Sequence, residues 1–203
     1  MVADQHDHCV VVEAELLEHG GFWHGLTLYD EQIHVPLLVK WRKRAPAAPP
    51  DARGVPAGLI DVAPTLLAQA GAAIPPAMQG IDLTLLPATR APAQRLVFAE
   101  ENHEGNVLRA VRTQRWKWIE ANARNPRGLA ERELFDVESD PGERENVAKR
   151  EPGLAAELAH LVAELEAAAK AGKIGEAKAA RISKEECEQL KQLGYVQDCA
   201  TAE

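Results

Sequence analysis

The pattern of apolar positions changes along the chain. In the first half, Cys9 to Val12 and Val35 to Trp41 are apolar on both faces, which is typical of strands buried in a parallel sheet. In the second half apolar and polar residues alternate, and Trp116, Trp118 and Glu120 fall on one face of a predicted strand. The pattern therefore predicts buried parallel strands followed by an antiparallel sheet.

The second half contains further strand and turn signals. Arg95 to Ala99 forms an apolar run that predicts a strand, and we predict a polar loop from Glu100 to Asn106. A turn is expected at Thr113 to Arg115, and another strand from Glu133 to Val137. The Pro and Gly within Asp140 to Glu143 favour a tight reversal of the chain.

Three helices are predicted from their end signals and apolar spacing. The first runs from Ile60 to Ala70, with Asp61 as its N-cap and Gly71 suited to the left-handed position after its end. A capping-box pattern from Ser183 to Glu186 opens the last helix. The second helix follows Pro152, and its apolar stripe repeats at helical spacing at Leu154, Leu158, Leu161, Val162 and Leu165.

The charge balance excludes some classes of partner. A formal net charge of -8 argues against nucleic acid, because phosphate binding needs clustered Lys and Arg. The one basic cluster, Lys40 to Arg44, is interpreted as the solvated end of a strand. No apolar run approaches the length of a transmembrane helix, so we expect no membrane partner.

Cysteine usage and the N-terminus bear on the compartment. Cys9, Cys187 and Cys199 have no Cys-x-x-Cys spacing and form no even set, so we expect free thiols. The first residues lack a basic region followed by an apolar one. As written, the chain is expected to be cytoplasmic.

A loop rich in Gly and His precedes the second predicted strand. Between Glu18 and Trp41, His19 and His24 lie among three glycines, which allow the backbone to approach a ligand closely. A loop of this kind that leads into a buried strand indicates the rim of a site.

The residues of this loop resemble a region of the sulfatase family, within the alkaline-phosphatase-like superfamily. The resemblance depends on a Gly/His loop, a Leu-Tyr-Asp-Glu segment and a His-Val-Pro strand, here His24, Gly25, Leu28, Tyr29, Asp30, Glu31, His34, Val35 and Pro36. Later phrases resemble the family in the same order: IDVAPTLLAQAG, LRAVRTQRWKWI, ELFDVESDPGERENVA and LKQLGYV. The resemblance covers only the C-terminal part of a sulfatase.

The resemblance implies an α/β fold and three regions. Residues 1–94 would be the C-terminal portion of the sulfatase α/β domain, with a partial alkaline-phosphatase-like sheet and helices. Residues 95–150 would form a small antiparallel C-terminal subdomain. Residues 151–203 would be a helical tail docked on the body. Complete relatives are often periplasmic or secreted.

The resemblance also implies cofactors that this sequence does not retain. Complete members use formylglycine, made from the Cys or Ser of a Cys/Ser-x-Pro-x-Arg motif, and a divalent metal, usually calcium. None of the cysteines begins that motif, and the segment from Ser139 has Glu143 where the motif needs Arg. The family's acidic metal ligand would follow the first strand, but Val12 leads directly into Glu13. We therefore expect no cofactor to be retained and no metal ligand to be present.

Two histidines are the candidate site residues. His24 is the first candidate, as a proton donor to the leaving group or a hydrogen-bond donor to sulfate. The alternative is that it only caps the loop or bonds to a backbone carbonyl. His19 is the second candidate. Tyr29, Asp30 and Glu31 are expected to hold the loop against the sheet. His34 is expected to be structural, His103 solvated, and the terminal cluster of His6, His8 and Cys9 is not expected to bind metal.

The sequence leaves three functions open. The first is a truncated sulfuric ester hydrolase scaffold, inactive by itself, whose substrate would be a sulfate ester if the missing N-terminal half completed it. The second is a non-catalytic remnant or partner-binding fragment, and the third is a phosphate or phosphonate ester hydrolase of the same superfamily. Loss of the first strands of a sheet would expose an edge, so self-association is also expected.

Overall fold

A four-stranded antiparallel sheet forms the centre of the described structure, with strands in the order β1-β2-β3-β4. The strands are β1 Val97–His103, β2 Asn106–Arg112, β3 Trp116–Ala121 and β4 Arg132–Asp136. The computed structural model describes residues 16–21, 24–37, 55–86, 95–171 and 183–192. Together with its helices, this sheet gives an α/β fold.

The first hairpin corrects one prediction. The polar loop expected from Glu100 to Asn106 is wrong, because β1 continues to His103 and pairs there with Asn106 of β2. The connection is only Glu104 and Gly105, whose φ angles are 51° and 79°. Positive φ at both central residues of a two-residue loop matches the twist of the flanking strands. Exposed polar side chains in an edge strand account for the error, since backbone pairing does not depend on them.

The two faces of the sheet pack against different elements. One face packs against Leu28 and Tyr29 of the N-terminal loop, through Leu108, Ala110, Ile119 and Phe135. The other face packs against a long helix, Pro152–Ala171, through Val111, Trp118 and Leu134. The predicted alternation in β3 is confirmed, since Trp118 Nε1 donates a hydrogen bond of 2.9 Å to Glu120 Oε1 on the same face. The sheet is therefore a shared layer of two small hydrophobic cores.

The three predicted helices are present, beside one short helix and two 3-10 helices that were not predicted. A one-turn helix, α1 (Asp30–Ile33), lies in the loop, and α2 runs over Val62–Ala70 after a short 3-10 helix at Leu59–Asp61. Helix α3 (Pro152–Ala171) contacts the sheet through the predicted apolar stripe, including the buried Leu158 and Val162. A second short 3-10 helix spans Leu83–Leu85.

The last helix, α4 (Lys184–Gln192), begins with the predicted capping box. Glu186 N donates to Ser183 Oγ at 3.2 Å, and Ser183 N donates to Glu186 Oε2 at 2.9 Å. The prediction of free thiols is wrong for Cys187, which is buried and disulfide-bonded. The other two cysteines lie outside the described residues. Among the described helices, none is both long and apolar enough to span a bilayer.

Asp61 stands at the predicted N-terminus of α2 but has a different role from the one predicted. Its side chain makes no cap hydrogen bond to α2. It accepts from Gly58 N at 2.7 Å and from Ile81 N at 2.9 Å, and it pairs with the buried Arg95. Gly71 ends the helix with φ of 70°, as predicted. Asp61 therefore ties the segments on either side of α2 to the chain that enters β1.

The predicted parallel strands were not found in the described part of the chain. Residues 35–37 are non-regular, and residues 9–12 and 38–41 lie outside the described residues. Contacts divide the chain into a first unit, Met1–Leu165, and a second, Glu166–Glu203. The three-region division predicted from the sequence stays a prediction.

Candidate functional site

The loop that bears His24 lies on the first face of the sheet. Leu28 and Tyr29 are buried there, and they fix the loop to the core. The loop also closes on itself, because Leu26 N donates to Gln32 Oε1 of α1 at 3.1 Å. Asn106 Nδ2 donates to Leu26 O at 3.0 Å and joins the loop to β2. The backbone that follows His24 is therefore held by hydrogen bonds to both α1 and β2.

A buried lysine joins this loop to the sheet. Lys117 of β3 has no exposed side-chain surface, and its Nζ lies 2.7 Å from Asp30 Oδ1 and 2.7 Å from Glu143 Oε1. Arg112 of β2 contacts the same aspartate, with Nη2 3.2 Å from Oδ2. Two cations and two carboxylates thus meet where α1 touches the sheet. We call Asp30, Arg112, Lys117 and Glu143 the charge cluster.

Glu143 contributes to the charge cluster from an unusual backbone conformation. Its φ of 51° lies in the left-handed region that side chains other than Gly seldom adopt. Its side chain is buried, and Oε2 accepts a hydrogen bond from Asp30 N at 2.5 Å. The Lys117 contact to Oε1 is an ion pair without hydrogen-bond alignment. Neighbouring contacts therefore stabilise a backbone that would otherwise be strained.

The pKa values of the two buried carboxyl groups of the charge cluster shift in opposite directions. Burial raises the pKa of Glu143, and the charge of Asp30 adds to this, while Lys117 opposes it without cancelling it. For Asp30, burial acts upward too, but Lys117 and Arg112 outweigh it and hold the pKa below its usual range. Asp30 is therefore the more firmly ionised member of the pair.

His19 is built into the same face. Its Nδ1 lies 2.6 Å from Glu31 Oε1, and its Nε2 lies 3.0 Å from the backbone oxygen of Glu143. The ring stacks on Tyr29, with centroids 3.7 Å apart, and Tyr29 Oη donates to Glu133 Oε2 at 2.9 Å. Burial lowers the pKa of His19, but the Glu143 carbonyl and the Glu31 carboxylate outweigh it and raise the pKa above its ordinary value.

The candidate histidines differ in their surroundings. His24 is exposed and makes no hydrogen bond or ion pair with another described residue. His19 is mostly buried and engaged at both ring nitrogens. His34 and His103 have exposed side chains, and each has a carboxylate 3.8 Å away. The terminal cluster at residues 6–9 lies outside the described residues.

The prediction that the loop is held against the sheet is confirmed for Tyr29 and Asp30, which contact Glu133 of β4 and Lys117 of β3. Glu31 instead contacts His19 of the same loop. Sequence reasoning missed Lys117 and Glu143 as parts of this site. A signal was present for Lys117, because it alternates with Trp116 and Trp118 and so lies on the opposite face of β3, the face that the loop covers. Glu143 was noted only as a mismatch in a nucleophile motif.

A groove opens beside the charge cluster. It has a volume of about 360 Å³ and includes Asp30, His34 and Arg112. Its remaining wall is mainly aliphatic, formed by Val35, Pro36, Val55, Pro56, Val97, Ala99 and Ala110 among others. The groove therefore combines an apolar wall with one ion pair.

The described residues do not fit the divalent metal that the family resemblance implies. Within the described ranges, no three side chains of His, Cys, Asp or Glu are placed to hold a metal ion. The two carboxylates of the charge cluster, Asp30 and Glu143, already share Lys117, and Arg112 adds a second positive charge. No step of a reaction is therefore assigned to a metal bound by these residues.

Comparison with known proteins identifies the family. The profile for "N-sulphoglucosamine sulphohydrolase, C-terminal" matches residues 18–171 of this chain. The chain belongs to this sulfatase family. The matched region begins just before His19, contains the whole sheet and ends with α3. The matched region therefore includes the charge cluster and the loop that bears His24.

Curated relatives agree with this assignment. Arylsulfatase K of Mus musculus is 32% identical over 151 residues, which is 67% of this chain and 25% of the relative. Delta 4,5-hexuronate-2-O-sulfatase of Bacteroides thetaiotaomicron is 29% identical over 140 residues, 61% of this chain and 26% of the relative. Choline-sulfatase of Rhizobium meliloti is 26% identical over 144 residues, 68% of this chain and 26% of the relative. This chain thus spans about a quarter of the length of these relatives.

Two solved structures show the same likeness. A 2-O GAG sulfatase is 31% identical, with a TM-score of 0.40, over 56% of this chain and 25% of that chain. A protein in complex with its substrate D-glucosamine-2-N, 6-O-disulfate is 26% identical, with a TM-score of 0.44, over 52% of this chain and 23% of that chain. With TM-scores this low, family membership rests on the sequence matches.

Proposed function

We propose that this polypeptide is the C-terminal portion of a sulfuric ester hydrolase scaffold and does not turn over substrate by itself. The observation that supports the proposal is the family match over residues 18–171, together with a sequence that has no Cys/Ser-x-Pro-x-Arg motif. Cleavage of a sulfate ester needs an activated nucleophile, positive charge at the nonbridging oxygens, and an acid for the leaving oxygen. The matched residues offer candidates for the positive charge and for the acid, but none for the nucleophile.

Within this proposal, His24 is the residue that would contact a sulfate ester. Its side chain is exposed, and the backbone that follows it is fixed through Leu26 and Leu28. An imidazole changes protonation near neutral pH, so it suits proton donation to a leaving oxygen. Both ring nitrogens of His19 are engaged by Glu31 and Glu143, so we assign direct contact with substrate to His24 alone.

The complete reaction centre would require polypeptide that supplies a nucleophile and a divalent metal, usually calcium. Asp30 and Glu143 are paired with Lys117 and Arg112 within the charge cluster, which supports placing the metal ligands elsewhere. A sulfate ester would then be the substrate, and the edge strand β1 would be the candidate surface for self-association. The predicted cytoplasmic location stays a prediction, and a disulfide such as that of Cys187 is more typical of exported proteins.

An activity assay of the purified chain tests this proposal. The chain is incubated with an aryl sulfate and with an aryl phosphate, each with and without calcium, beside His24→Ala and the control His160→Ala on the exposed side of α3. We expect no turnover in any of these assays. Sulfate release that is lost in His24→Ala but kept in His160→Ala would contradict inactivity, and phosphate release with that pattern would favour the phosphate ester hydrolase.

A second assay separates an enzyme portion from a non-catalytic remnant. The DNA upstream is read for an open frame that encodes Cys-x-Pro-x-Arg, and that polypeptide is coexpressed with this chain. Aryl sulfate turnover that requires both polypeptides and His24 supports the enzyme portion. Stable coexpression without turnover, or no such frame, favours a remnant or a fragment that only binds a partner.

A further inference from the structure

The two ring nitrogens of His19 both face hydrogen-bond acceptors. Nδ1 meets a carboxylate oxygen of Glu31 at 2.6 Å, and Nε2 meets the backbone oxygen of Glu143 at 3.0 Å. A backbone carbonyl can only accept a hydrogen bond, and so can an ionised carboxylate. A neutral imidazole has one N–H and can satisfy only one of them. A doubly protonated ring satisfies both.

The charged groups around His19 favour the same protonation state. Three carboxylates interact electrostatically with the His19 ring: Glu31 from α1, Glu143 from the turn after β4, and Glu133 from β4 itself. Lys117 lies on the far side of Glu143 and is engaged with its carboxylate and with Asp30. Tyr29, stacked on the ring, adds an aromatic face on which a cation is stabilised.

We propose that His19 is a positioning residue that fastens the loop bearing His24 as an imidazolium, by clamping Glu31 of α1 to the backbone of Glu143. The clamp joins two segments that are 124 positions apart in the chain. It acts beside the charge cluster, so Glu143 is fixed by its carbonyl on one side and by its carboxylate on the other. The contacts of His19 do not depend on the proposed function. Their relevance to substrate does, because that function assigns substrate contact to His24.

Loss of the proton from His19 would weaken this clamp. One ring nitrogen would then present a lone pair to an acceptor, and that contact would change from attraction to repulsion. The pKa of His19 is raised above its ordinary 6.5, so the stabilisation is fully present below that pH. It is lost as the pH rises through the raised pKa. The loop would therefore be fastened in mildly acidic solution and loosened in alkaline solution.

Nuclear magnetic resonance of the chain with ¹⁵N-labelled histidine tests the protonation state. We expect the His19 ring to titrate with a midpoint above 6.5 and both nitrogens to be protonated below it. Glu31→Gln removes one negative partner, so it should lower that midpoint. A midpoint at or below 6.5 in the unmodified chain, or an unchanged midpoint in Glu31→Gln, would overturn the proposal.

Hydrogen exchange tests the consequence for the loop. After correction for intrinsic exchange, protection of the amides of Leu26 and Asp30 should fall about tenfold or more as the pH rises through the His19 midpoint, which is the size expected for one hydrogen bond to a charged group. His19→Gln should have low protection at every pH, and the exposed control His160→Gln should follow the unmodified chain. Protection that shows no pH dependence in the unmodified chain would refute the clamp, even if His19→Gln does not fold.

Discussion

Lys117 Nζ lies 2.7 Å from Asp30 Oδ1, although the two residues are 87 positions apart. This contact joins the third strand to the helix turn that follows the His24 loop, and Glu143 completes it. Removing one member of a buried ion pair leaves an uncompensated charge, which costs more than the pair itself contributes. We therefore expect the attachment of the loop to be sensitive to substitution of either residue.

Lys117→Met tests that attachment. The substitution keeps the length of the side chain but leaves the carboxylates of Asp30 and Glu143 without their shared cation, so we expect a loss of about 3–5 kcal/mol in the free energy of unfolding. Urea unfolding followed by tryptophan fluorescence measures it. Lys149→Met at an exposed position is the control and should change stability by less than about 0.5 kcal/mol. Equal effects of the two substitutions would mean that the buried pair is not formed.

Asp30→Asn should have an effect that depends on pH. The folded-state pKa of Asp30 lies below its ordinary 3.8, so the stability it contributes is present above that pH and is lost as the pH falls through the folded value. We therefore expect the destabilisation by Asp30→Asn to be largest near neutral pH and to shrink in acid. Urea unfolding of both chains from pH 7 down to about pH 3 measures the difference. A difference that stays constant over this range would contradict the pairing.

Gly80→Ala tests a close backbone approach. A Cβ at Gly80 would lie 1.9 Å from the oxygen of Ile60, so the segment after α2 could not keep its position against the helix start. We expect destabilisation by about 1–3 kcal/mol, the usual cost of forcing extra volume into a packed site. Gly153→Ala in α3 is the matched control, because its Cβ meets nothing within 4 Å. Thermal unfolding measures both variants. A lower unfolding temperature in Gly80→Ala alone indicates the local clash, whereas an equal loss in both variants would contradict it.

Leu158→Ala tests the packing of α3 on the second face of the sheet. Leu158 is buried against the core that contains Trp118, and truncation leaves a cavity there, so we expect a loss of about 2–5 kcal/mol. The exposed neighbour Glu157→Ala lies on the same helix and should change stability little. Denaturant unfolding measures both variants. If the slopes of the free energy of unfolding against denaturant concentration are equal, a difference in midpoint is a difference in stability. A small effect of Leu158→Ala would mean that α3 does not bury this stripe.

Features with local signals were predicted correctly from the sequence. The stripe of α3, the capping box at Ser183 and the alternation around Trp116 each depend on spacing or on a few neighbouring residues, and each is present. The strand continuation to His103 was missed, because its exposed side chains resemble those of a loop.

Long-range contacts could not be predicted in the same way. The capping role of Asp61 was wrong because Arg95 and Ile81, which compete for its side chain, are distant in sequence. The pairing of Lys117 with Asp30 and Glu143 depends on how three separate segments meet. The loop, the family and His19 were predicted from the sequence, but the contacts at both nitrogens of the His19 ring depend on residues more than ten positions away and could not be.

The left-handed backbone of Glu143 has a consequence for the order of folding. The turn from Asp140 to Glu143 follows β4. The Glu143 carboxylate can contact Lys117 only after β3 has paired with β4, and it can accept from Asp30 N only after the loop that bears His24 has docked on the sheet. We therefore expect the two hairpins to form early from neighbouring residues and the loop with His24 to dock last. The segment proposed to meet substrate would then be the first to detach when the protein is stressed.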